Sequence, residues 1–124
     1  MLVSDPAAQA TAARIVEIVE RNRLPLSNEK ATQAALAELL KAAGIEHERE
    51  CRLSGKDIPD FMIGGLAVEL KIKGGKMDIY RQLKRYAEHD RVTRLLLVTG
   101  VAMGLPGDIL NKPATMASLS RGWL

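Results

Sequence analysis

Ala8, Ala12, Ile15 and Val19 recur at alternating spacings of four and three, which draws one apolar seam down a helix. Ser4-Asp5-Pro6 gives that helix a capping side chain and a proline at its first position. It is expected to run to about Asn22, where Leu24-Pro25-Leu26 breaks it. Occupying residues 1–26, it serves either as a dimer contact or as packing on the chain's own sheet. Ser27 or Asn28 then caps a second helix reaching about Ala43, with Leu36, Leu39, Leu40 and Ala43 on its buried side and Gly44 as its stop. From Ile45 to Leu53 the period shortens to two. Ile45, His47, Arg49 and Cys51 alternate there with Glu46, Glu48, Glu50 and Arg52, a polar strand suited to a place near a sheet edge.

After the turn Ser54-Gly55-Lys56-Asp57, the stretch Ile58 to Lys71 reads as two short strands joined by Gly64-Gly65. Gly-Gly favours a two-residue hairpin because both central positions tolerate positive φ. With that turn, Ile63 faces Leu66, Met62 faces Ala67, Phe61 faces Val68 and Asp60 faces Glu69. Side chains alternate across a strand, so Asp60, Met62, Ala67, Glu69 and Lys71 share one face. Phe61, Ile63, Leu66, Val68, Leu70 and Ile72 share the other, which is wholly apolar and is expected to be core. Opposed residues have Cβ atoms about 4.5–5.5 Å apart, where like charges repel. A cation between Asp60 and Glu69 is therefore required. Lys71 on the same face is one candidate, and a divalent ion held by both acids is another. Hard oxygen ligands suit Mg²⁺ or Mn²⁺.

Beyond the hairpin, a helix carrying Gln82 and Tyr86 at i and i+4 presents both on one side. Arg94 to Thr99 is expected to be a buried parallel strand. Residues 100–124 form an extension with a turn at Gly104-Leu105-Pro106-Gly107, a last strand at Thr115 to Leu119, and Trp123 capping the core. Gly74-Gly75-Lys76 lacks the earlier glycine and the following Ser or Thr of a phosphate loop.

Pro59-Asp60, followed after a hairpin by Glu69-Leu70-Lys71, resembles the PD-(D/E)xK nuclease superfamily, and Gln82-Leu83-Lys84-Arg85-Tyr86 resembles the Gln-x-x-x-Tyr signature of its RecB-like members. The likeness covers residues 28–99 and extends to virus-type replication-repair and Holliday-junction-resolving nucleases. It implies a restriction-endonuclease-like α/β domain, an α-β-β-β-α-β core whose mixed sheet is flanked by helices. It also implies a metal-dependent DNA endonuclease using Mg²⁺ or Mn²⁺. Asp60, Glu69 and the Leu70 carbonyl would hold the ion, Lys71 would position the attacking water, and Gln82 and Tyr86 would support the site and the DNA backbone. The first core helix of such proteins often adds an acid. Glu29, with Gln33 one turn on, is the choice for that ligand, and Glu38 is the fallback.

Composition narrows the picture further. At 124 residues with 47 % hydrophobic content, the chain can bury one core. One cysteine excludes an internal disulfide framework, and no Cys-x-x-Cys or His-x-x-x-His pairing offers a zinc site. His47 and His89 are set aside as catalytic groups. Asp57 is treated as a decoy, since an odd offset from Asp60 turns it to the opposite face of a regular strand. No basic start leads into a long apolar run, so a cytoplasmic protein without a membrane span is expected.

The net charge is only +3, but it is unevenly placed. Lys71, Lys73, Lys76, Arg81, Lys84, Arg85, Arg91 and Arg94 crowd one stretch against Asp78, Glu88 and Asp90. Such density neutralises phosphates without reading sequence. Gln33, Lys56, Lys73, Lys76, Arg81, Lys84 and Arg85 are the expected DNA contacts. One Trp, two Tyr and one Phe leave little for stacking on unpaired bases, so duplex or branched DNA is the expected substrate. No small-molecule cofactor is expected, and a homodimer would present paired sites to a junction. The competing readings are a catalytically silent nucleic-acid-binding module and a nuclease subunit or nickase that needs a partner protein.

Overall fold

Phe61 lies opposite Val68, Met62 opposite Ala67 and Ile63 opposite Leu66, the register the Gly64-Gly65 turn dictates. Only Gly64 has positive φ, at 56°. Gly65 is glycine for a different reason: a Cβ there would collide with the Thr93 side chain and the Asp5 carboxylate. Those two groups are themselves bonded, Thr93 Oγ1 to Asp5 Oδ2 at 2.5 Å, so the hairpin tip is closed against the start of the first helix.

The computed structural model describes residues 1–119. Trp123 lies outside the described residues. Helices α1 (Pro6–Arg21) and α2 (Glu29–Ala42) are followed by strands β1 (Glu48–Arg49), β2 (Phe61–Ile63) and β3 (Leu66–Lys71), helix α3 (Lys76–Ala87), and strands β4 (Arg94–Thr99), β5 (Asp108–Ile109) and β6 (Lys112–Ser118). The six strands form one mixed sheet in the order β1-β2-β3-β4-β6-β5. β3 to β4 and β4 to β6 are parallel, and the outer pairings are antiparallel.

Asp5 caps α1, accepting from Ala8 N–H at 3.1 Å, and Asn28 caps α2, accepting from Ala31 N–H at 2.8 Å. Ala8, Ala12, Ile15 and Val19 are buried with Leu36 and Leu40 of α2 against Phe61, Val68, Leu70, Leu96 and Val98. The seam of α1 therefore packs on the chain's own sheet. α3 covers the other face through Ile79, Leu83, Tyr86 and Ala87, over Met62, Ala67, Leu95 and Leu97. Both faces of the central strands are thus core, not the Phe61 face alone. Each large side chain so buried contributes roughly 1.5–3 kcal/mol.

Two expected elements change shape. The strand expected over Ile45 to Leu53 is reduced to Glu48–Arg49, because Glu50 turns into the left-handed region at φ 49° and ends the pairing. The last strand begins at Lys112 and is preceded by β5. The segment after Thr99 is no appendage, since β6 pairs with β4 along Leu95 to Thr99 and puts Ala117 in the core beneath α1. No helix among the described residues is long and apolar enough to cross a membrane.

Candidate active site

Strands β2 and β3 part at Asp60, and the site is built in the gap. Continuing the hairpin register by two residues puts Pro59 across from Leu70. In a regular ladder Leu70 N–H would donate to the carbonyl of residue 59. It donates instead to Asp60 Oδ2 at 2.7 Å. The Leu70 carbonyl points to the same side by alternation, and Pro59 has no N–H to offer it. The buried Pro59 thereby leaves the Leu70 carbonyl without a ladder donor on that side.

Asp60 is fixed from four directions. Its N–H donates to Glu69 Oε1 at 3.3 Å, and its carbonyl accepts from Glu50 N–H at 3.0 Å. Oδ2 takes the Leu70 amide, and Oδ1 accepts from Gln33 Nε2 at 3.1 Å. Gln33 in turn accepts from Arg49 Nη2 at 3.0 Å, so a relay runs from the exposed β1 through α2 to the carboxylate. Asp60 therefore lies between the strands rather than flat on the Met62 face. The left-handed Glu50, a conformation that costs a non-glycine residue of order 1 kcal/mol or more, is held at the same point.

Glu69 projects from β3 toward α3 and is 4 % exposed. Tyr86 donates its hydroxyl proton to Glu69 Oε1 at 2.9 Å, and Gln82 Nε2 donates to the Tyr86 oxygen at 2.9 Å. Lys71 Nζ stands 3.5 Å from Glu69 Oε2. Burial and the neighbouring Asp60 charge push Glu69 up to about 8, against the pull of Lys71 and Tyr86. Burial also raises Asp60, with Glu29 and Glu50 adding to the rise and the Leu70 amide and Lys71 opposing it. Two adjacent acids whose neutral forms are favoured in this way are relieved by a proton or by a cation.

Asp60, Glu69 and the Leu70 carbonyl make an all-oxygen donor set that fits Mg²⁺ or Mn²⁺, which keep waters at their remaining positions. Among the described residues no three His, Cys, Asp or Glu side chains converge on one point. Glu29, the expected extra acid, accepts from Ile72 N–H at 3.2 Å, close enough for its charge to act on Asp60. Glu38 is exposed and lines an open groove of about 670 Å³ with Lys41, His47 and Arg49, away from the carboxylate pair.

The expected DNA contacts divide. Lys56, Lys73, Lys76 and Lys84 are exposed. Arg81 pairs with Asp78 at 3.3 Å, and Arg85 is held by Asp57 at 3.0 Å. Gln33 is buried against Asp60 instead of facing outward. Asp57, set aside as a decoy, lies in the turn at residues 54–57, and its carboxylate pairs with Arg85 and with His89, not with Asp60 or Glu69. Gln82 and Tyr86 are turned inward on Glu69. Arg49 and Glu50 are the residues that sequence reading missed. Nothing in the chain marks them, because the pairing of β1 with β2 is set by a long connection whose length gives no register. The chain matches no family model, no curated protein and no solved structure.

Proposed function

We propose that the protein is a metal-dependent DNA endonuclease with a restriction-endonuclease-like core, of the PD-(D/E)xK kind. The observation that carries this reading is the junction at Asp60, where its N–H meets Glu69, its carboxylate takes the Leu70 amide, and Lys71 stands beside Glu69. Mg²⁺ or Mn²⁺ held there would act as a Lewis acid on the scissile phosphate. The chain's own groups supply the rest. Lys71, once Glu69 is engaged elsewhere, has an ammonium free to orient the attacking water and to offset charge on the phosphorane. Tyr86 and Gln82 hold the Glu69 carboxylate in place. Arg49, exposed and with only one donor used on Gln33, is available to a phosphate oxygen.

Lys73, Lys76 and Lys84 continue the positive rim past the site and suit a duplex or branched backbone. A homodimer presenting two sites to a junction would account for selectivity in a chain with a single small core. Incubating labelled four-way junction, flap and linear duplex with Mg²⁺ or Mn²⁺, beside Lys71→Ala, tests the reading. Cleavage lost in Lys71→Ala by about 10²–10³-fold, with DNA binding retained, is expected. Binding by both proteins with no product would leave the silent module, or the subunit that needs a partner, in its place.

A further inference from the structure

In the connection between β1 and β2, Asp57 is the acid that fastens the chain to α3 and to the turn ending it. Asp57 Oδ1 accepts from Arg85 Nε at 3.0 Å, and His89 Nε2 sits 3.0 Å from Asp57 Oδ2. The turn presenting this carboxylate is closed on itself. Leu53 N–H donates to Asp57 O at 2.8 Å and Asp57 N–H to Ser54 O at 2.7 Å. Asp57 stands three residues before Asp60, and Pro59 between them fixes one backbone angle. Arg85 on the helix and His89 in the turn that ends it bracket Tyr86, whose oxygen lies 2.9 Å from Glu69 Oε1 and 3.3 Å from the Ile58 carbonyl. One side chain is thus tied to the neighbours of both acids, and touches neither.

We propose that Asp57 is a positioning residue, the clamp that sets the spacing between the Asp60 loop and α3 and so holds the two site acids in register. It also withdraws Arg85 from the basic rim. An acid here costs DNA affinity, because a freed Arg85 would reach phosphate, and the structure keeps it where geometry is decided. A residue serving only general stability would affect binding and cleavage together; a clamp separates them.

The catalytic consequence rests on the nuclease reading, but the positioning does not, because the Leu70 amide reports on Asp60 without turnover. In Asp57→Ala, exchange of the Leu70 amide is expected to accelerate relative to the Ala67 and Val68 amides. Junction DNA should bind as tightly as to wild type or more so, with a salt dependence steeper by about one phosphate. The rate constant for cleavage should fall about ten- to hundredfold. If Asp57→Ala does not fold, Arg85→Gln removes one grip and is read by Leu70 exchange and cleavage alone. Unchanged Leu70 exchange, or equal losses in binding and cleavage for Asp57→Ala, overturns the proposal. A wild-type protein that cuts no DNA overturns the reaction only, and Leu70 exchange then decides on the clamp.

Discussion

Tyr86 gives its hydroxyl proton to Glu69 across the interface between α3 and β3, and each group shifts the other. The phenol is raised by burial first and then by the Glu69 charge, which favours its protonated, donating form. Glu69 is raised to about 8 by burial and Asp60, and the Tyr86 hydrogen bond pulls it back down. The tyrosine therefore keeps an acid that burial would neutralise closer to its ionised state.

A stability profile against pH follows, and its sign is fixed by the direction of the shift. Glu69 moves from 4.5 to about 8 on folding, so the folded chain binds the proton more tightly than the unfolded one. The protein gains stability from it below pH 4.5 and loses that gain as pH rises toward 8. Without metal, melting between pH 5 and 8.5 should show a decline on the order of a few kcal/mol, and Glu69→Gln should flatten it. Because metal must displace that proton, stabilisation by Mn²⁺ should be small at pH 6 and large above pH 8. A metal-free melting point that is level across this range, or a Mn²⁺ effect independent of pH, contradicts the assignment.

The hairpin was legible because both of its determinants are local. A Gly-Gly turn sets the register and period-two alternation sets the faces, which is enough to bring Asp60 opposite Glu69. The helices were legible from their seams and from Asp5 and Asn28 as caps. What could not be read is non-local. Glu50 adopts a left-handed conformation only because Asp60 O waits for its N–H, and Arg49 meets Gln33 only once α2 has docked. Asp57 meets Arg85 and His89 across the fold, a pairing that no local pattern shows. The charge stripe named the right stretch, but it could not tell Arg85, which is tied down, from Lys84, which is exposed.

The role of α1 is open to a direct measurement. Ile15 is 0 % exposed and lies in the cluster that α1 shares with α2 and the sheet. Ile15→Ala should lower unfolding free energy by about 2–5 kcal/mol, as large-to-small changes in packed cores do. Its sedimentation at temperatures where it stays folded should match that of the wild type. A nearly wild-type melt accompanied by a change in association state would instead make the seam an intermolecular contact.

Gln33 hydrogen-bonds α2 directly to Asp60, and its amide is used at both ends. Nε2 donates to Asp60 Oδ1 at 3.1 Å, Oε1 accepts from Arg49 at 3.0 Å, and the residue is 3 % exposed. Leucine fills nearly the same volume and removes both bonds. Arg49 is exposed and can turn to water, so the cost falls on Asp60, which loses a donor in a place already hostile to its charge. Gln33→Leu is therefore expected to lose about 1–3 kcal/mol in denaturant melting. Asp60 should rise further, and Mn²⁺ affinity measured by calorimetry at pH 8 should weaken about ten- to hundredfold, the usual effect of removing a partner that orients a ligand. Loss of stability with Mn²⁺ affinity intact would make Gln33 a packing residue and detach α2 from the chemistry.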